Sequence, residues 1–309
     1  MSQTYNYINV VNREVALIPK IIHYCWFGGR PLPELALKCI DSWKKYCPDY
    51  EIKEWNEGNY NVSSCAYARQ AYEAGKWAFV SDYARFDILY QYGGLYFDTD
   101  VELIKPIDNL VERGAFMGCE PSRVKDDISV AAGLGLAAEP GCRLYKEILD
   151  DYREADFIKE NDSGNYVTVV HRVSAILKRH GLTSESDIQL VDGVLIYPPQ
   201  YFCPLDYTTG KLHVTRETCS IHWYKASWMS RLDRKITRIE QRFADCGKVG
   251  HYLERTLTLP LRVVNKVKKI GIGKSVRLIV NRFCSGGVEQ TSNGRIFRGA
   301  FYVKGGAVG

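Results

Sequence analysis

Two hydrophobic periods alternate along the first two thirds of the chain. Residues 18–29 are a mainly apolar run ending in paired glycines, which predicts a buried first strand that turns out of a sheet. Residues 33–46 change to helical spacing, with Leu35, Cys39 and Trp43 on one face. Pro48-Asp49 makes a turn, residues 50–55 alternate like a second strand, and a helix follows near 66–74. Residues 77–92 predict a longer helix, in which Phe79, Tyr83, Phe86 and Tyr90 make one apolar face. Gly93-Gly94 ends it, and Leu95-Tyr96-Phe97 is a short buried strand. Strands alternating with helices imply an α/β domain: a Rossmann-like, mostly parallel sheet with helices on both faces.

The pattern loosens beyond Glu102. Residues 114–120, 130–138, 188–198 and 220–223 predict strands, and 142–152 and 167–180 predict helices. Residues 255–282 carry eight Lys/Arg and no acids, with Val263, Val267 and Ile270 on one helical face. The pattern repeats in Val276, Ile279, Val280 and Phe283. A catalytic domain over 1–249 and a basic, helical C-terminal extension over 250–309 are therefore expected.

Charge sharpens that division. The 309 residues have a formal net charge of +5. The extension holds eleven basic and two acidic residues, against thirty and thirty-four in the body. A basic amphipathic segment suits an anionic membrane surface. No nucleic-acid-binding motif accompanies it. The ten cysteines form no C-x-x-C pair, which argues against a zinc ribbon and for buried free thiols. Met1 to Val10 lacks an apolar core, and no apolar run reaches the roughly 20 residues of a membrane span. The expected location is cytoplasmic, peripheral at the inner face of the cell membrane.

The chemistry gathers after the long helix. Asp98 and Asp100 stand at i, i+2 past a buried strand, where ligands of parallel sheets bind. Breaking a sugar–diphosphate bond leaves a group that gains negative charge, and a hard divalent cation held by carboxylates stabilises it. A calcium loop is excluded, because no glycine fills its sixth position and no distal Glu closes it. Asp82 and Arg85, three residues apart, share a helix face leading into this strand. A carboxylate accepts sugar hydroxyls, and a guanidinium donates to hydroxyl or phosphate. A metal-dependent phosphohydrolase would need further Asp/His clusters. A binding module without catalysis is the other alternative.

The residues Trp77-Ala78-Phe79-Val80-Ser81-Asp82-Tyr83-Ala84-Arg85 and Tyr92-Gly93-Gly94-Leu95-Tyr96-Phe97-Asp98-Thr99-Asp100-Val101 resemble the core of the DXD-containing sugar transferases of glycosyltransferase family 32. Ile18 to His23, Trp26 to Gly29, Trp43, Trp55-Asn56, His222-Trp223 and Ser227-Trp228 extend the resemblance. That family includes capsule and lipopolysaccharide enzymes and, distantly, the glucosylating bacterial toxins. The resemblance implies a GT-A fold and a retaining hexosyltransferase that uses a UDP-sugar, with Mn2+ or Mg2+, on a glycan or lipid-linked acceptor. It implies that Trp26 stacks on the nucleobase and that Ser81, Asp82, Arg85 and Tyr96 line the donor-sugar pocket. Asp98 would touch the ribose or sugar and reach the metal through water. Asp100 would bind the metal directly, His222 or Ser227 would complete the metal site, and Trp228 would cover the diphosphate. His23 is expected to be structural. The apolar stretch Val130 to Gly135 offers no carboxylate nucleophile, so a front-face reaction is expected rather than a covalent intermediate.

Overall fold

The structure, a computed structural model, describes residues 17–122, 127–161, 167–207, 209–224, 231–244 and 246–270. Two compact units emerge: residues 1–158 with 167–228, and residues 159–166 with 229–309. The division falls after residue 228, ahead of the change in charge at 249/250.

The first unit opens with β1 (Ile21–Cys25), α1 (Glu34–Tyr46), β2 (Glu51–Trp55), α2 (Ala66–Glu73) and α3 (Trp77–Tyr92). Next come β3 (Gly94–Tyr96), β4 (Val101–Leu103), α4 (Asp108–Val111), β5 (Phe116–Glu120), β6 (Ser129–Val130) and β7 (Leu136–Ala138). Helices α5 (Arg143–Glu154), α6 (Phe157–Asn161) and α7 (Val169–Arg179) follow. After them come β8 (Gln189–Val191), β9 (Val194–Tyr197), α8 (Pro199–Phe202) and β10 (Ser220–His222). The second unit contains α9 (Arg231–Phe243) and α10 (Gly247–Ile270), together with the last three residues of α6.

The main sheet has the order β2-β1-β3-β7-β5-β9-β8, with β6 paired to β5. Strand β1 is parallel to β2 and β3, and β5 is parallel to β9. Strand β7 runs antiparallel between β3 and β5, which leaves those two pointing the same way. The result is the mostly parallel, Rossmann-like sheet expected of a GT-A fold. Its central strands are buried along nearly their whole length, as a sheet covered on both faces requires.

Helix α3 differs from the sequence reading in one respect. Its residues Phe79, Val80 and Asp82 to Leu89 are all buried, so it is a core helix and not an amphipathic one. Residues 188–198 are likewise not one strand. The Asp192-Gly193 step, with both residues at positive φ, folds β8 back on β9, as an Asp-Gly two-residue hairpin does. The expected strand over 130–138 is divided between β6 and β7.

His23 is fully buried and accepts at Nδ1 from Trp55 Nε1 at 3.0 Å. That assignment leaves Nε2–H to donate to Gly93 O at 3.0 Å, tying β1 and β2 to the end of α3. Burial lowers its pKa to about 4, so the imidazole stays neutral and structural. The described cysteines are free thiols, buried except for Cys246. Among the described residues, no helix is long and apolar enough to cross a membrane.

Candidate active site

Strand β3 ends at Tyr96, and Asp98 to Asp100 turn beyond it, at the carboxyl edge where the sheet reading put them. Val101 N donates to Asp98 O at 3.0 Å and closes the turn. Helix α1 braces the next strand: Trp43 Nε1 donates to Val101 O at 2.8 Å, and Ser42 Oγ accepts from Leu103 N at 2.9 Å. Trp43 is fully buried against Tyr24 and Phe97. Burial of such an aromatic contributes about 2–3 kcal/mol. The turn therefore sits on rigid packing rather than on a loose loop.

One side of the turn is a charged cluster. Arg85, buried in α3, places an Nη on Asp82 Oδ1 at 2.9 Å and on Asp98 Oδ1 at 3.1 Å. Its Nε donates to Ser81 O at 3.1 Å. Tyr96 Oη donates to the same Asp98 oxygen at 3.1 Å, under the guanidinium. Two carboxylates and one guanidinium leave the cluster one negative charge in excess. Burial raises Asp82 to about 7; Arg85 opposes that rise and Asp98 adds to it. Burial pulls Arg85 down, but Asp98, Tyr96 and Asp82 outweigh it and keep it charged. The buried Cys25 thiol at the end of β1 faces this cluster and is raised to about 12, mainly by burial.

The other side of the turn is the metal-type pair. Strand β10 pairs antiparallel with β4, with His222 opposite Val101, and Trp223 N donates to Asp100 O at 2.9 Å. This ribbon brings His222 Nε2 to 3.3 Å from Asp100 Oδ1. Burial lowers the imidazole pKa, but Asp100 outweighs it and holds the ring well above its ordinary value. An oxygen and a nitrogen donor converging on one point suit a divalent transition metal. The two acids thus do not face one way, as their i, i+2 spacing suggests. The turn sends Asp98 to Arg85 and Tyr96, and Asp100 to His222.

Glycines allow the approach. A Cβ on Gly133 would lie 1.8 Å from Asp98 Oδ2 and 3.3 Å from an Arg85 Nη. Gly133 O also accepts from Asp98 N at 3.0 Å. The apolar stretch 130–135, read as lacking chemistry, is therefore the wall that shapes Asp98. Gly28, at φ +93, abuts the Trp77 ring at the start of α3, where a Cβ would fall 2.6 Å from Nε1. Trp26, just past β1, is half-buried and donates from Nε1 to Arg30 O.

Three polar groups beside the ribbon were not singled out from the sequence. Glu102 receives Trp223 Nε1 and Lys38 Nζ, each at 2.8 Å. Glu120, at the end of β5, accepts from Tyr224 Oη at 3.1 Å, and Tyr224 packs on the His222 ring. Ser227 and Trp228 lie outside the described residues. A separate cluster of Glu147, His180 and Asp192 joins α5, α7 and the β8–β9 turn. Both imidazole nitrogens there lie against carboxylates, at 2.9 and 2.6 Å, so the group ties these three elements together.

With this geometry in hand, a family model described as "glycosyltransferase sugar-binding region containing DXD motif" matches residues 33–117. That span holds α1, α3 and the Asp98–Asp100 turn. Residues 33–117 are thus similar to the DXD-containing sugar-binding region of glycosyltransferases. The chain is similar to inositol phosphoceramide mannosyltransferase 1 of Schizosaccharomyces pombe, at 29% identity over 115 residues, 34% of each chain. It is also similar to inositol phosphoceramide mannosyltransferase 3 of that yeast, at 28% identity over 41% of this chain and 37% of the relative. The chain thus spans about a third of the length of the curated relatives it matches. Among solved structures, PaToxG glycosyltransferase is 19% identical, covering 52% of this chain and 69% of that one, with a TM-score of 0.39. A glycosyltransferase involved in glycosylation of the PBCV-1 major capsid is 14% identical, covering 71% and 100%, with a TM-score of 0.36.

Proposed function

We propose that the chain is a metal-dependent, retaining glycosyltransferase that moves a hexose or N-acetylhexosamine from a nucleotide sugar to a glycan or lipid-linked acceptor. The observation that carries this reading is the junction at one turn of a sugar-type cluster, Asp82–Arg85–Asp98–Tyr96, and a metal-type pair, Asp100–His222. The names of the yeast relatives, with mannosyl transfer and a lipid acceptor, support a hexose and a lipid-linked acceptor. The donor nucleotide is UDP in this reading, and the setting is surface polysaccharide synthesis at the inner face of the cell membrane.

In this reading Asp82 accepts hydroxyls of the donor sugar and Arg85 donates to a hydroxyl or phosphate oxygen. Tyr96 and Ser81 line the pocket, and Trp26 supplies a face for the nucleobase. Asp98 is held by Arg85 and Tyr96, which suits contact with ribose or sugar and a water-mediated role toward the cation. Asp100 and His222 would hold Mn2+ or Mg2+ once His222 has given up its proton, with Ser227 as a further ligand and Trp228 as cover for the diphosphate. The bound cation stabilises charge growing on the leaving diphosphate.

Each carboxylate described at this edge already has a partner: Asp82, Asp98, Asp100, Glu102 and Glu120. That favours front-face attack, in which the leaving phosphate takes the acceptor's proton and no covalent intermediate forms. A glycosyl-enzyme adduct trapped by mass spectrometry would overturn it. The function is tested by a thermal-shift screen of UDP- and GDP-linked sugars with Mn2+, followed by a transfer assay with the best donor. A donor that stabilises the protein only with the metal, and is then consumed, is the expected result. No stabilisation and no turnover with any donor would refute it.

A further inference from the structure

The second unit presents an amphipathic helix turned inside out. Helix α10 is a 24-residue element packed on α9. Four of its polar residues, Glu254, Thr258, Arg262 and Asn265, lie on the side toward that partner. Arg262 reaches Glu240 at 2.6 Å and Glu254 at 2.9 Å, Asn265 bonds Asp233, and Thr258 donates to Glu254 at 3.0 Å. Thr258 is fully buried and Asn265 nearly so.

Its apolar residues face outward. Val249 and Tyr252 are each 71% exposed, and Leu253, Leu257, Leu259, Val263 and Val264 are between 43% and 50% exposed. At about 100° per residue these seven fall within one arc of roughly 160°, and so do Thr256, Pro260 and Val267. No acid lies in the arc; Glu254 is the one acid of the helix and sits on the α9 side. By the same spacing Arg255 borders one edge and Lys268 the other. A soluble helix ordinarily buries such a stripe, and a contiguous apolar patch of this kind marks an interaction surface.

We propose that this face of α10 is a membrane-contacting surface, lying in the headgroup region of an anionic bilayer with its basic edges against lipid phosphates. Charge decides the occupant. A second copy of the chain, or the rest of the extension, would bring more positive charge to a basic rim, since residues 271–309 hold six Lys/Arg and one acid. An anionic surface brings the opposite sign. The helix is not apolar enough to cross a bilayer, so it rests on the surface in the manner of an interfacial helix. The Arg262–Glu240 ion pair and the Asn265–Asp233 hydrogen bond join α10 to α9 while its apolar face is occupied. This names the contact surface for the membrane setting of the proposed function, and it rests on that reading only for its purpose, not for its geometry.

The test is co-flotation of the full chain with phosphatidylcholine vesicles, with and without phosphatidylglycerol. Wild type should float with the anionic vesicles and much less with the neutral ones. The double variant Leu253→Glu/Leu257→Glu should lose about tenfold or more of that partitioning, and Arg255→Glu/Lys268→Glu should lose the dependence on anionic lipid. Both should keep the wild-type melting temperature and solution size, and turnover of a soluble donor–acceptor pair should be unchanged. Wild type that does not float overturns the proposal. It is also overturned if the leucine variant floats normally, or converts a dimer to a monomer, or melts lower without any vesicle binding in wild type. Failure of the transferase reading instead shows as absent turnover with flotation intact.

Discussion

Replacing Asp82 by Asn is predicted to stabilise the protein while removing its use of donor. The carboxyl group is buried and its pKa is raised from 3.8 to about 7, chiefly by desolvation. An acid whose folded value lies above its unfolded value binds its proton more tightly in the native state, so stability falls as pH climbs between the two values. The loss starts near pH 4 and is complete above about pH 7. Across that span it amounts to on the order of 4 kcal/mol at most. Asparagine keeps the shape and one acceptor for Arg85, which stands 2.9 Å away, and the pull of Arg85 on the charged carboxylate is already contained in the rise to about 7. A net gain of up to about 4 kcal/mol above neutrality follows, or up to about 8–16 °C in melting temperature for a unit of this size. Differential scanning calorimetry of both proteins at about pH 5 and about pH 8 checks it, because subtraction cancels the other titrating groups. The variant should melt higher near pH 8, its advantage should shrink toward pH 5, and transfer should be lost at both. A variant that melts lower near pH 8, or a gap that ignores pH, would refute the reasoning.

Other substitutions probe the same cluster from different sides. Gly133→Ala places a Cβ against Asp98 Oδ2, and displacing that carboxylate from Arg85 and Tyr96 should lower kcat/KM by about a hundredfold while costing about 1–3 kcal/mol of stability; near-normal kinetics would show that Asp98 need not sit where it does. Tyr96→Phe removes one hydrogen bond to Asp98 and should raise the donor KM by about fivefold to tenfold with little change in Tm, as a hydrogen bond of about 1 kcal/mol implies; steady-state kinetics and a melting curve separate the two.

Much of the architecture could be read from periodicity, and the parts that could not have physical reasons. The alternation of strand and helix up to Phe97 is strong because its apolar runs are separated by glycine and proline turns. The β4–β10 ribbon was harder to anticipate, because three-residue strands 117 residues apart carry little periodicity and are joined only by tertiary pairing. That ribbon explains why His222 meets Asp100, a contact that no local spacing encodes. Asp82 and Arg85 were legible because helix spacing fixes their shared face. Gly133 was not, because its contribution is the absence of a side chain where Asp98 approaches. In the extension, the basic and apolar composition pointed to a surface role, but which face turns outward depended on the polar seam with α9.

The central claim, that this turn holds a cation for transfer from a nucleotide sugar, is tested most directly by Asp100→Ala. Release of nucleoside diphosphate from the best donor, and of glycosylated acceptor, should be followed by mass spectrometry with and without Mn2+, for the wild type and the variant. The account predicts metal-dependent product with the wild type and a loss of about a thousandfold or more in the variant, with the fold intact, as removal of a major charge-stabilising group implies. Transfer by the variant at the wild-type rate, or wild-type transfer indifferent to chelation, would contradict it.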